Sequence, residues 1–339
     1  MNPSAVSPQP IDKLTPNNEV RYKDVVTQIL QVANQHKSNL ALTALVGSLP
    51  IMIGIISLAI ISSTSSVNGS SHTDAANHLS LSTAILLVVM IMSFAVTPFW
   101  LVLINRISRI EQILWVKAYF DKDSDKSHQS LRKALSLFWP SVLLSIGTFL
   151  RYYWVFLTAV IIFVASLAYA VVREYQTISP TYSPNGLILL VLLSPVIVLV
   201  AYFLVAQFVS LKTRYVQIIF VNNYGKPGFS YDEVFAQNKR LTQRDAQGGG
   251  KSFGKLLRLA VGTDATVTAA SGVAIAPASV AATTIVGVLS GSSVAAKAAG
   301  TLTMFYGAEA TSLSESLAQT IIFYLYYLSA TNDESNVSS

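Results

Sequence analysis

Residues 211–242, LKTRYVQIIFVNNYGKPGFSYDEVFAQNKRLT, decide how the chain is threaded. The stretch carries Lys212 and Arg214, then VQIIFV, an apolar run too short to cross a bilayer. It turns at Gly225-Lys226-Pro227-Gly228. The residues after the turn read as an amphipathic helix, with Val234, Phe235 and Leu241 on one side and Lys239 and Arg240 on another. Ser230 is the expected N-cap of that helix, with Glu233 three residues on. Directly before the stretch lie some twenty-five largely apolar residues, 186–211. The whole therefore reads as an exit from a membrane. A span ends at Leu211, a short extended or interfacial segment lies against the inner leaflet, and a surface helix begins.

Composition agrees with this. The chain is 52% hydrophobic and only 12% charged, with a mean hydropathy of +0.51, where soluble domains carry about a quarter charged residues. That much apolar surface needs lipid. The absence of cysteine excludes disulfides, thiolate metal sites and cysteine nucleophiles. A net charge of +6 and a pI near 9.3 invite a nucleic-acid reading. It is rejected because the Lys and Arg residues cluster in particular loops, as membrane orientation requires.

Counting apolar runs of about twenty residues gives an all-α polytopic protein with six spans, 39–61, 80–104, 146–172, 186–211, 265–291 and 310–330. Both ends then lie in the cytoplasm. The loop 62–79 has no Lys or Arg, whereas 105–133 carries Arg106, Arg109, Lys117, Lys122, Lys126, Arg132 and Lys133. Segment 134–172 is too long for one crossing and could instead be a hairpin broken at Arg151. Charge decides, because nine Lys or Arg residues lie in 212–258 and a single crossing keeps them inside. That helix starts along the interface near Leu131. Residues 265–296 are about two-thirds Ala, Gly, Ser or Thr, and Gly287-xxx-Gly291 has the spacing of close helix contact. The last span ends in tyrosines 324, 326 and 327, which suit an interfacial belt. Residues 1–23 and 331–339 are expected to be disordered cytoplasmic ends of one membrane domain, 24–330.

Three cytoplasmic stretches, 24–42, 130–144 and 231–260, each read as an amphipathic helix entering a span. Their apolar faces are Val25, Ile29 and Val32; Leu131, Leu135 and Phe138; and Val234, Phe235 and Leu241. Such helices sink partly into the headgroups with their cations toward anionic lipid. The layout resembles the six-span membrane domain attached to some bacterial glycerophosphodiester phosphodiesterases, and related stand-alone integral membrane proteins. The residues that carry the resemblance are RYVQIIFVNNYGKPGFSYDEVFAQNKRLT and the ending SLAQTIIFYLYYLSA. The chain departs from the pattern in lacking an acidic residue at Val221-Asn222-Asn223 and in its polar GTDATVTAASG. It has no phosphodiesterase domain, so the resemblance supplies no catalytic residue. What it implies is a protein of the bacterial cytoplasmic (inner) membrane.

Candidate chemistry is sparse. GGGKS at 248–252 lacks the earlier glycine of a phosphate loop, because position 245 is Asp, and no strand precedes it. His72, Asp74 and His78 offer three metal ligands in a loop with no supporting groups. Ser252-x-x-Lys255 stands without the companion motifs of that hydrolase class. No cofactor, metal or enzymatic activity is expected. Ionisable residues at membrane depth are the best functional candidates, since charge there faces a bundle interior or a water cavity. They are Arg151, Asp264 and Glu315, with Arg151 expected to pair with Asp264 or Glu315. Glu309 stands near the start of the last span. Arg106, Arg109, Lys212, Arg214, Lys239 and Arg240 are expected as membrane-surface cations. The expected partners are membrane lipids and other membrane proteins. Three function classes remain: a scaffold or accessory subunit, which is preferred; a transporter or lipid-moving protein; and a membrane-embedded enzyme, the weakest because no nucleophile, metal or acid–base constellation is visible.

Overall fold

The computed structural model describes residues 22–67, 81–121, 129–177, 209–247 and 251–337, and a few positions between 193 and 205. Helix is the only regular element among the described residues. The helices with complete bounds are α1 Tyr22–Gln35, α2 Lys37–Val67, α3 Leu81–Phe120, α4 Ser130–Ser136, α5 Phe138–Tyr152, α6 Trp154–Thr177, α7 Val216–Asn223, α8 Tyr231–Gln247, α9 Lys251–Ser290 and α10 Ser293–Val337. Among the described residues, three stretches are long and apolar enough to cross a membrane: Lys37–Ser63, Leu81–Phe120 and Arg258–Ser290. A fourth is added if α4 and α5, broken at Leu137, act as one. The expected span 186–211 lies largely outside the described residues.

The chain divides into two compact units. One is Met1–Phe138 with Asp245–Ser339; the other is Trp139–Arg244.

In the first unit α10 packs against α9, α2, α3 and α1. The α2 helix shows the solvent it was built for. Its inward positions are mostly small or polar, with Ala44, Gly47, Ser48, Gly54 and Ser57 buried beside Pro50 and Ile55, while Leu42, Leu45, Leu49, Ile53, Ile56 and Ile60 are exposed. A soluble helix reverses that order; lipid imposes it, because close approach of small residues is what holds helices together there. Pro50 interrupts α2 and leaves the Val46 carbonyl without its helical donor. The Trp100 indole N–H from α3 takes that place at 2.8 Å. An orphan carbonyl in hydrocarbon would cost several kcal/mol, on the order given for unsatisfied backbone in lipid.

Gly291, with φ of 62°, turns α9 back into α10. The two helices then run antiparallel in one register. Gly287 faces Ala296, Thr283 and Ser279 face Gly300, Ile275 faces Gly307, Thr268 meets Glu315, and Asp264 meets Gln319. This revises two expectations. Gly291 closes a turn that favours glycine and is not the second residue of a helix-packing pair; α9 and α10 approach instead at Gly300 and Gly307. The final helix also starts at Ser293, seventeen residues before the expected 310, and continues to Val337, into the expected tail.

At about 1.5 Å per residue α10 is about 67 Å long, twice the roughly 30 Å of hydrocarbon. Its two halves differ accordingly. Large exposed apolar residues on α10 end at Phe305, and on α3 they end at Val102. Past those points Leu313, Leu317 and residues 321–325 of α10 are buried, as are Ile110, Ile113, Leu114, Trp115 and Val116 of α3. The Phe120 ring stacks on Tyr324 at 5.7 Å. Residues 321–325, within the stretch expected as the last crossing, are buried against the other helices of this unit.

The second unit explains the opening stretch. VQIIFV is neither extended nor superficial. It forms α7, with Tyr215, Ile219 and Phe220 almost wholly buried. The chain folds back over it at Gly225 and Gly228, whose φ values of 84° and 80° suit glycine. Phe220 then sits in a ring cluster with Tyr224, Phe229 and Tyr231. The Glu233 amide donates to Ser230 Oγ at 3.1 Å, which is the expected N-cap. The face Val234, Phe235, Leu241 is buried, and Asn238 shares it. Asn238 donates to the Lys212 carbonyl at 2.9 Å and accepts from the Tyr215 amide at 3.2 Å, which satisfies the turn entering α7. Upstream, α5 and α6 are separated only at Tyr153, where helical hydrogen bonds continue across the break at 2.9 Å.

Candidate functional site

In the first unit the polar side chains at the junction of α3, α9 and α10 form a seam. Gln112 on α3 donates to the Leu313 carbonyl at 3.0 Å and accepts from Ser316 at 2.8 Å. Gln319, one turn beyond Ser316, donates to Asp264 Oδ2 at 2.8 Å. The Thr268 hydroxyl reaches both the Asp264 carbonyl, at 2.8 Å, and the Glu315 carboxylate. The other Asp264 oxygen, Oδ1, is buried with no hydrogen bond, as is Glu309 Oε1, which packs against Gly47. A Cβ at Gly47 would lie 2.9 Å from that oxygen. Glycine here makes room for the carboxylate of α10 beside α2.

The sequence candidates are therefore divided. Asp264 and Glu315 come together on facing turns of α9 and α10. Arg151 does not join them in an ion pair. Its guanidinium pairs with Asp232 in its own unit and lies over the Phe235 ring at 4.3 Å. The physical reason is local: the N-terminal turn of α8 brings an acid and an aromatic face to the end of α5. This pair is solvent-accessible, with side chains 46% and 86% exposed, so it anchors α8 more than it lines a cavity.

Among the expected surface cations, Lys212, Lys239 and Arg240 are exposed, and Arg106 and Arg109 are half-buried. Arg214 is buried, which corrects its assignment to the surface. It donates to the Leu211 carbonyl at 2.8 Å and lies over the Tyr215 ring at 4.8 Å. Glu233 bonds Arg240 at 3.1 Å.

Of the other motifs, His72, Asp74 and His78, and the glycines at 248–250, lie outside the described residues. Lys251 and Ser252 open α9. Among the described residues no group of three or more His, Asp or Glu side chains is placed to hold a metal ion.

A second polar cluster was not foreseen. Trp115 stacks on His36 with ring centroids 4.3 Å apart, and its indole N–H donates to Ser130 Oγ at 2.8 Å. Ser130 in turn donates to the buried Glu111 at 3.2 Å. Tyr119 donates to Gln31 at 2.6 Å. These contacts draw α1, the end of α3 and α4 to one end of the unit. The signal in the sequence was the pairing of the apolar residues Ile110, Ile113, Leu114 and Trp115 with Ser108, Glu111 and Gln112 in a segment that also carries Arg106, Arg109 and Lys117.

No protein-family model, curated protein or solved structure matches the chain.

Proposed function

We propose that this chain is a non-enzymatic integral protein of the cytoplasmic (inner) membrane, acting as a scaffold or accessory subunit for membrane lipid and other membrane proteins. It takes no nucleic acid. The proposed threading has six crossings: α2, the first half of α3, the α5–α6 segment, residues 186–211, α9, and the first half of α10. Both ends are cytoplasmic, and α1, α4 and α8 lie at or near the inner surface as amphipathic helices. The grouping of Lys37, Arg106, Arg109, Arg132 and Lys133 near the α1–α3–α4 end supports that orientation. The relation to the membrane domain of glycerophosphodiester phosphodiesterases remains part of this proposal.

One observation carries the scaffold reading. The polar side chains of the seam are spent on one another between interlocked helices. A Cβ at Gly307 would sit 2.5 Å from Ile275 Cγ1, and one at Gly300 would overlap Thr283 Oγ1. Helices that fit this closely hold a shape. The Arg151 that a transport cavity would have used is engaged by Asp232.

A second reading, a transporter or lipid-moving protein, is favoured by the buried unbonded oxygens of Asp264 and Glu309. Reconstitution into proteoliposomes separates the two. The scaffold reading expects no ion or lipid flux above empty vesicles, and a retained protein partner after mild-detergent capture from native membranes. Flux that Asp264→Asn abolishes would overturn it and select transport.

A further inference from the structure

The α4 helix turns one narrow face inward and leaves the rest open. Ser130, Ala134 and Leu137 are buried, with Ser130 fixed by Trp115 and Glu111. Leu131 and Leu135, one turn apart, are 52% and 53% exposed. Arg132 and Lys133 are exposed beside them. Large apolar side chains held open next to cations are costly in water and suited to the boundary of a bilayer.

The fold also sets the depth of this helix. Trp115 touches His36 on one side and Ser130 on the other, so α4 lies level with the start of α2, where Lys37 is exposed. Leu42, the first large exposed apolar residue of α2, follows Lys37 by five positions, about 8 Å along a helix. The polar layer on each side of the hydrocarbon is about 5–8 Å thick. The cations at 37, 132 and 133 therefore stand at headgroup depth, if α2 crosses as proposed; the inference rests on that membrane placement.

We infer that α4, with Lys37, is a docking face for anionic phospholipid: Leu131 and Leu135 enter the acyl boundary while Lys37, Arg132 and Lys133 hold the headgroup phosphates. A preference for anionic over zwitterionic lipid is the consequence, and lysine or arginine near such a surface contributes roughly a fivefold gain each.

The chain has no cysteine, so a single nitroxide at Leu135→Cys reports depth without background. The full-length protein is placed in vesicles of phosphatidylcholine alone or mixed with phosphatidylglycerol, and quenching by dissolved oxygen is compared with quenching by a water-soluble nickel chelate. The expected result is an oxygen-dominated label. Native mass spectrometry is expected to show phosphatidylglycerol retained over phosphatidylcholine, and Arg132→Gln/Lys133→Gln to reduce that ratio by roughly tenfold or more. Lys297→Gln, on an exposed cation near the Gly291 turn, should leave it unchanged. A chelate-accessible label in both vesicles overturns the inference, as does an equal loss of preference in the Lys297 variant. Protection in native membranes but not in lipid vesicles overturns it in favour of a protein partner, and displacement of the lipid by inorganic phosphate alone overturns the need for a membrane. None of these outcomes touches the scaffold reading, which flux decides.

Discussion

The two halves of α10 belong to one unbroken helix and obey opposite packing rules. Near Gly291 the helix presents Ala296, Gly300 and Gly307 to α9 and turns Met304 and Phe305 outward. Leu313, Leu317 and Ala318 are buried, and residues 321–325 have no exposed face. In the first half tight fit between small side chains is the attraction, because lipid is as apolar as the residues it surrounds. In the second half removal of large apolar side chains from water is the attraction. In the proposed threading a single helix thus joins a lipid-solvated region to a water-solvated one.

If the comparison holds, truncations at the two ends of the hairpin should differ most. Ile321→Ala is expected to cost about 2–5 kcal/mol, because Ile321 is fully buried and its loss leaves a cavity. Leu289→Ala, 81% exposed at the other end of the hairpin, should cost less than about 0.5 kcal/mol, as surface positions do. Unfolding in detergent mixtures measures both. Equal costs would mean that residues 321–325 lie in lipid after all, as hydropathy alone suggested.

The next effect sharpens the first half. Gly307→Ala brings a methyl against Ile275, and overpacking of this kind costs about 1–3 kcal/mol. Ile275→Ala in the same chain should recover most of it, since the space for the methyl is then vacant. If Gly307→Ala is neutral alone, the close register of α9 and α10 is wrong.

Much of this was legible in the sequence, and the parts that were not share a cause. Composition and apolar runs gave the helical membrane class, because hydrocarbon leaves helices few alternatives. The surface of α8 was readable from Val234, Phe235 and Leu241, and its start from Ser230. What surrounds 310–330 is not legible there, because Ile321 and Phe323 are equally apolar whether lipid or protein surrounds them. The same ambiguity hid α7, where VQIIFV reads as an interfacial run until Phe229 and Tyr231 are seen folded over it. Asp264 and Glu315 stand out in the sequence as polar groups in an apolar setting, but their partners, Gln319 and Thr268, are 55 and 47 residues away. Nothing local specifies such pairs. The Trp100 bond to the carbonyl freed by Pro50 is likewise a relation between two helices, invisible in either alone.

The smallest expected effect concerns Arg151. A charge within the bilayer would make its partner indispensable, whereas an accessible pair contributes about 0–1 kcal/mol, with the Phe235 ring adding about 0.5–1 kcal/mol to the arginine. Asp232→Asn should therefore lower stability by less than about 1 kcal/mol, and Arg151→Ala by somewhat more, because it also uncovers the ring. Raising the salt concentration should shrink the Asp232 effect, since the pair is open to counterions. Exchange of the charges, Arg151→Asp with Asp232→Arg, should restore the ion pair but not the contact with Phe235. A loss of several kcal/mol on Asp232→Asn, unchanged by salt, would place Arg151 in a dry environment and return it to the groups on which transport could depend.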